Sequence, residues 1–99
     1  MNNLILCGFM GCGKTTVGRL LAARTGRRFV DTDALIEEEA GMAVEDIFKR
    51  FGEEDFRLRE RQACSRLAEK ENLVIATGGG ALTFPENAAV LRRSGVIIL

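Results

Sequence analysis

The sequence predicts an α/β fold, a parallel sheet between two layers of helices (α/β/α), and three observations carry that reading. Short runs at residues 4–7, 73–77 and 96–99, apolar except for Thr77, have the composition of buried parallel strands, not of half-exposed ones. Segments with helical periodicity separate these runs, which is the alternation of a parallel sheet. A glycine-rich stretch, Gly8-Phe9-Met10-Gly11-Cys12-Gly13-Lys14-Thr15-Thr16, joins the first run to the first helical segment.

In chain order, residues 4–7 form the first strand. A helix over 14–25 follows, with Val17, Leu20 and Leu21 on its inner face and Gly26 as its stop. Phe29 and Val30 make a short second strand ending at Asp31. Two short helices are expected over 33–39 and 44–51, closed by Gly41 and Gly52, then a longer one over 53–70. The third strand, 73–77, runs directly into Gly78-Gly79-Gly80. Thr83 and Glu86 have capping-box spacing around Pro85, so a helix is expected to reach Arg93, with a fourth strand over 96–99. Parallel strands need crossover helices to cover both faces of the sheet. An interior-type apolar strand at the chain's end is therefore expected to belong to a longer protein, the alternative being a natural edge strand.

The glycine-rich stretch has a chemistry of its own. Glycines let the backbone curl so that successive N–H groups converge on one point, and the following helix adds its positive end. Lys14 would then reach the β- and γ-phosphates of a nucleotide, with the Thr15 hydroxyl on Mg²⁺. A plain glycine-rich turn is the alternative, and strand before with helix after argues against it. The chain is expected to bind a nucleoside triphosphate.

Ninety-nine residues make one small domain, 1–99, with formal net charge zero and no Lys/Arg cluster to meet a nucleic acid. Cys7, Cys12 and Cys64 lack metal-ligand spacing, and no histidine is present to complete a zinc site. That usage fits a reduced, cytoplasmic compartment. No segment has the form of a signal peptide or the length of a membrane span, so no membrane association is expected.

Beyond the glycine-rich stretch, Asp31-Thr32-Asp33 stands where a second parallel strand ends, the edge at which such sheets bind ligands. Asp31 could hold the metal, directly or through water, while Asp33 faces the phosphoryl acceptor. Alternatively Asp33 caps the helix starting at Ala34. Arg57 and Glu60, three apart, share a helix face. They are either a commonplace surface pair or an arginine held ready for a substrate carboxylate. The triple glycine marks a demanding turn or close approach of backbone to a ligand. Phe48 and Phe56 could wall a pocket or fill the core. Cys12, near Lys14 and a helix start, is either a lowered-pKa thiol or a small residue the loop tolerates.

Four motifs in order carry a resemblance. Gly-Phe-Met-Gly-Cys-Gly-Lys-Thr-Thr-Val-Gly from Gly8, Asp-Thr-Asp from Asp31, Gly-Glu-Glu-Asp-Phe-Arg-Leu-Arg-Glu from Gly52 and Thr-Gly-Gly-Gly-Ala from Thr77 together resemble the shikimate kinase family. The resemblance covers nearly the whole chain but only the first part of the family's usual length. It implies the P-loop fold of the nucleoside monophosphate kinases, with strand order 2-3-1-4 and the family's fifth strand absent. It implies transfer of the ATP γ-phosphoryl to the 3-hydroxyl of shikimate, with Mg²⁺, by a cytoplasmic monomer.

Carried over by position, Gly11, Cys12, Gly13, Lys14, Thr15 and Thr16 would bind the nucleotide, with Lys14 catalytic and Thr15 and Asp31 serving the metal. Asp33 would bind the acceptor and help deprotonate it. Arg57 would clamp the shikimate carboxylate, Glu60 would steady it, the Gly79 backbone would meet a hydroxyl, and Phe48 and Phe56 would line the ring pocket. The shikimate-binding helical region would span about 33–61. The family's arginine-bearing lid, a second carboxylate-binding arginine and the adenine loop would lie beyond Leu99, so residues 1–99 alone are expected to hold the chemistry in part. A gluconate kinase-like enzyme and a non-catalytic nucleotide-binding module are the alternative functions.

Overall fold

The computed structural model describes residues 2–7, 12–78, 81 and 84–98, and of residues 12–14 it describes the backbone but not the side chains. The expectations for Gly11 and Gly79, and for the side chains of Cys12 and Lys14, therefore fall outside the described residues.

The order is β1 (Asn3–Leu6), α1 (Cys12–Thr25), β2 (Arg28–Asp31), α2 (Thr32–Ala40), α3 (Val44–Ala68), β3 (Leu73–Ala76), α4 (Pro85–Ser94) and β4 (Gly95–Ile98). The four strands form one sheet in the order β2-β3-β1-β4, and every pairing is parallel. Leu6 is level with Ala76 and Ile98, and Asp31 with Ala76, so all four carboxyl ends finish along one edge.

The strands alternate between two helical layers, as period-two geometry requires. Leu6 and Val74 pack with Ala22, Leu21 and Phe29 on the α1 side. Ile5 and Ile75 pack with Cys64, Leu67, Leu73 and Leu91 on the α3 and α4 side. A third cluster, Ile36, Ile47, Phe56 and Ala63, lies between α2 and α3 and holds these two helices against each other.

The first strand begins one residue earlier than the apolar run suggests. Asn3 is fully buried because its side chain serves as a connector: Nδ2 donates to the Lys70 carbonyl at 2.9 Å and Oδ1 accepts from the Leu73 N–H at 2.9 Å. It ties the end of α3 and the start of β3 to the sheet. The inner face of α1 is also corrected. Val17 and Leu20 are 41% and 54% exposed, and the helix packs through Gly18 and Ala22 instead. A Cβ on Gly18 would stand 2.3 Å from Phe29, so the small residue sets how close helix and strand can come.

Two expected helices, 44–51 and 53–70, are joined in α3 across a kink at Gly52, whose φ of 87° and ψ of 173° suit glycine alone. The cap of α4 is Phe84 with Pro85 at the first turn, in place of the expected capping box; Thr83 lies outside the described residues.

Candidate active site

Two clusters stand at the carboxyl edge of the sheet. The first joins the ends of β2 and β3. Asp31, not Asp33, is the N-cap of α2: its Oδ1 accepts from the N–H of Asp33 at 2.9 Å and of Ala34 at 3.1 Å. The capping alternative for Asp33 is thereby corrected, and the physical reason is that the helix starts at Thr32, two residues before the Ala34 start that alternative requires. The buried Thr32 hydroxyl accepts from the Gly78 N–H at 3.3 Å, drawing the end of β3 onto the start of α2. Asp33 then lies directly against Gly78. A Cβ at residue 78 would meet its carboxylate oxygens at 2.7 and 2.9 Å, so this glycine answers a need for space.

The second cluster is on α3. Arg57 Nη1 donates to Glu60 Oε1 at 3.0 Å, and Glu53 Oε2 stands 3.5 Å from Arg57 Nε. Glu60 is only 1% exposed. Burial pushes its carboxyl above the usual range; the Arg57 hydrogen bond and charge pull the other way, and the Asp33 charge raises it further. That last effect ties the two clusters together electrostatically. This pair is thus half-buried and connected, unlike a solvent-screened surface pair.

Arg57 also lies over two aromatic rings. Its guanidinium lies 5.3 Å from the Phe56 ring centroid and 5.1 Å from that of Phe84. Phe84 had no signal in the sequence, because nothing in its spacing links it to a residue 27 positions earlier. Arg57, Phe84, Glu53, Arg61 and Asn87 border an open cleft of about 310 Å³ between α3 and α4. Phe56 is buried in the core cluster, while Phe48 stacks on it at 4.8 Å between centroids and remains 37% exposed. Phe56 thus fills the core, and Phe48 packs on it with part of its ring exposed.

Thr15 is partly exposed in the first turn of α1. Among the described residues no three His, Cys, Asp or Glu side chains group to hold a metal ion. None of the described helices is long and apolar enough to cross a membrane.

A four-stranded parallel sheet in this order, layered by helices and with acidic and cationic side chains near its carboxyl edge, defines an α/β protein of the P-loop fold class. A sequence model of shikimate kinase matches residues 10–99, and the chain belongs to that family. It is 57% identical over 96 residues to a shikimate kinase of Symbiobacterium thermophilum, covering 97% of this chain and 55% of that protein. It is 49% identical over 98 residues to one of Geobacter metallireducens, covering 99% and 55%. The solved Acinetobacter baumannii shikimate kinase in complex with shikimate superposes with a TM-score of 0.92 at 44% identity, over 98% of this chain and 54% of that one. The chain spans about half the length of the curated relatives it matches.

Proposed function

We propose that the chain is the phosphate- and acceptor-binding part of a shikimate kinase, which moves the γ-phosphoryl group of ATP to the 3-hydroxyl of shikimate. The observation that carries this is the contact of the Asp33 carboxylate with Gly78, close enough to the Arg57–Glu60 pair for its charge to bear on Glu60. A hydroxyl and a carboxylate on one small ring need such a pairing, an acceptor for the proton and a fork of N–H donors for the acid.

In this reading the backbone of residues 11–16 cradles the phosphates and Lys14 draws charge from the β- and γ-phosphates. Asp33 orients the attacking hydroxyl and takes its proton. Arg57 clamps the carboxylate with Glu60 behind it, the Gly79 backbone meets a ring hydroxyl, and Phe48 and Phe56 line the ring. In-line phosphoryl transfer asks mostly for positioning and charge neutralisation, which these groups supply.

Thr15 and Asp31 are hard oxygen donors suited to Mg²⁺. One Asp31 oxygen is already held by two backbone N–H groups, so that residue would serve the ion through its other oxygen or through water. When bound, Mg²⁺ supplies charge neutralisation on the phosphates. A monomer acting in the cytoplasm on small molecules is the setting we assign; zero formal net charge without a Lys/Arg cluster offers a nucleic acid no footprint.

A coupled assay on the protein expressed at the full length of its gene tests the reading. ATP-dependent phosphorylation of shikimate, with gluconate inert, is the expected result. Preference for gluconate, or nucleotide binding without transfer to either, would overturn it.

A further inference from the structure

We propose that Phe84 is a positioning and specificity-determining residue for the acceptor's carboxylate, acting through Arg57; this rests on the reading of Arg57 as the carboxylate clamp. The problem Phe84 addresses is visible in the geometry. Arg57 has one positive charge and two carboxylates beside it, Glu60 at 3.0 Å and Glu53 at 3.5 Å. Glu60 is buried and fixed, but Glu53 is 66% exposed and one turn away, able to draw a long, flexible side chain toward solvent. Something must hold the guanidinium plane against that pull while leaving its edge open. An aromatic ring under the guanidinium does both: it attracts the cation through the ring face, and that contact uses up no N–H, so the donors not taken by Glu60 remain for a bidentate acid. It also keeps water off that side, which strengthens the charge pairing.

Phe84 is placed to do this firmly. Its carbonyl accepts from the N–H groups of Asn87 at 3.1 Å and Ala88 at 3.2 Å, and its own N–H donates to Ala81 at 3.4 Å. The buried Asn87 side chain donates to the same Ala81 carbonyl at 3.1 Å. Pro85 biases the residue before it toward extended backbone, and Phe84 has φ −96° and ψ 118°. Helix stability does not account for a phenylalanine here, since the N-cap position favours Ser, Thr, Asp or Asn and Phe84 makes no side-chain cap bond. The ring's contribution is its contact with Arg57.

The test is steady-state kinetics and shikimate-binding calorimetry on the protein at the full length of its gene, comparing F84A, F84L, F84Y, R57A and the double variant F84A/R57A. Phe84→Ala should raise the shikimate KM about tenfold, the scale of a partly desolvated cation–π contact. The kcat and the ATP KM should stay within about twofold, as expected when a ground-state contact is loosened. Phe84→Tyr should restore the wild-type KM. Phe84→Leu, which keeps apolar volume without the ring, should fold like wild type and yet share the raised KM. In the R57A background, Phe84→Ala should add nothing. If Arg57→Ala leaves the shikimate KM unchanged, the clamp reading itself fails. If Arg57→Ala raises KM while F84L matches wild type, or the two losses add in full, the clamp stands and the role of Phe84 falls.

Discussion

At the carboxyl edge of the sheet, residues 12–16 open α1 in one unbroken run, whereas Asp33, Arg57, Gly78 and Phe84 come from four segments that meet only on folding. The first region is proposed to work through its backbone, the positive end of a helix and Lys14, and the second mainly through side chains brought together from separate elements. This difference governs what a sequence reveals. Contiguous backbone sites leave a glycine pattern, while an assembled site leaves single residues whose partners have to be found in space.

The sharpest way to break the comparison is to disable each region alone. Lys14→Ala should abolish most Mg·ATP affinity, measured by titration calorimetry. Asp33→Ala should leave that affinity intact and lower kcat by about 10²- to 10⁴-fold, the usual scale of a general base. Equal loss of ATP affinity in both variants would mean that the two regions do not act separately.

How far each was legible follows from the same contrast. The strand and helix succession was readable because long apolar and amphipathic runs dominate it, and the strand order entered through the family resemblance. The inner face of α1 was not, since periodicity weighs large residues such as Val17 and Leu20, while packing here is set by the smallness of Gly18 and Ala22. Asp31 and Asp33 were visible as a pair, but which one capped α2 depended on a helix boundary, the least readable feature of a sequence. Arg57 and Glu60 were visible as helix neighbours through their spacing. Phe84 was invisible, because its partner is on another helix.

A smaller effect sharpens the role of the glycine run. Gly78→Ala would drive a Cβ into the Asp33 carboxylate, 2.7 Å away, so Asp33 must turn aside. We expect about a tenfold or greater loss of kcat on the scale of a misplaced catalytic group. Stability should change by less than about 1 kcal/mol, since the atoms displaced are the end of a side chain. Gly41→Ala is the converse control. Its φ of 71° disfavours a side chain, so it should lose about 1 kcal/mol of stability with activity kept. Thermal melts run beside the kinetic assay separate the two; an inert Gly78→Ala would mean that Asp33 has room to spare.

The smallest effect asks how far the acceptor region reaches into the core behind it. Cys64 is fully buried one turn beyond Glu60, and burial first, then the Glu60 charge, pushes its thiol from 9.0 up to about 12. In the unfolded chain the thiol loses its proton near its ordinary value, while the folded chain keeps it. Between those two values the folded state binds more protons than the unfolded one, so stability falls as pH rises. At pH 10 the loss should be about 1.4 kcal/mol, one unit above the unfolded value. Cys64→Ala removes this term, so the stability gap between wild type and the variant should shift by that amount between pH 7 and pH 10 in urea melts. Glu60→Gln should reduce the shift without abolishing it, because burial is the larger cause. A gap that stays constant with pH would show that the thiol titrates alike in both states, and that the charge at the acceptor region ends at Glu60.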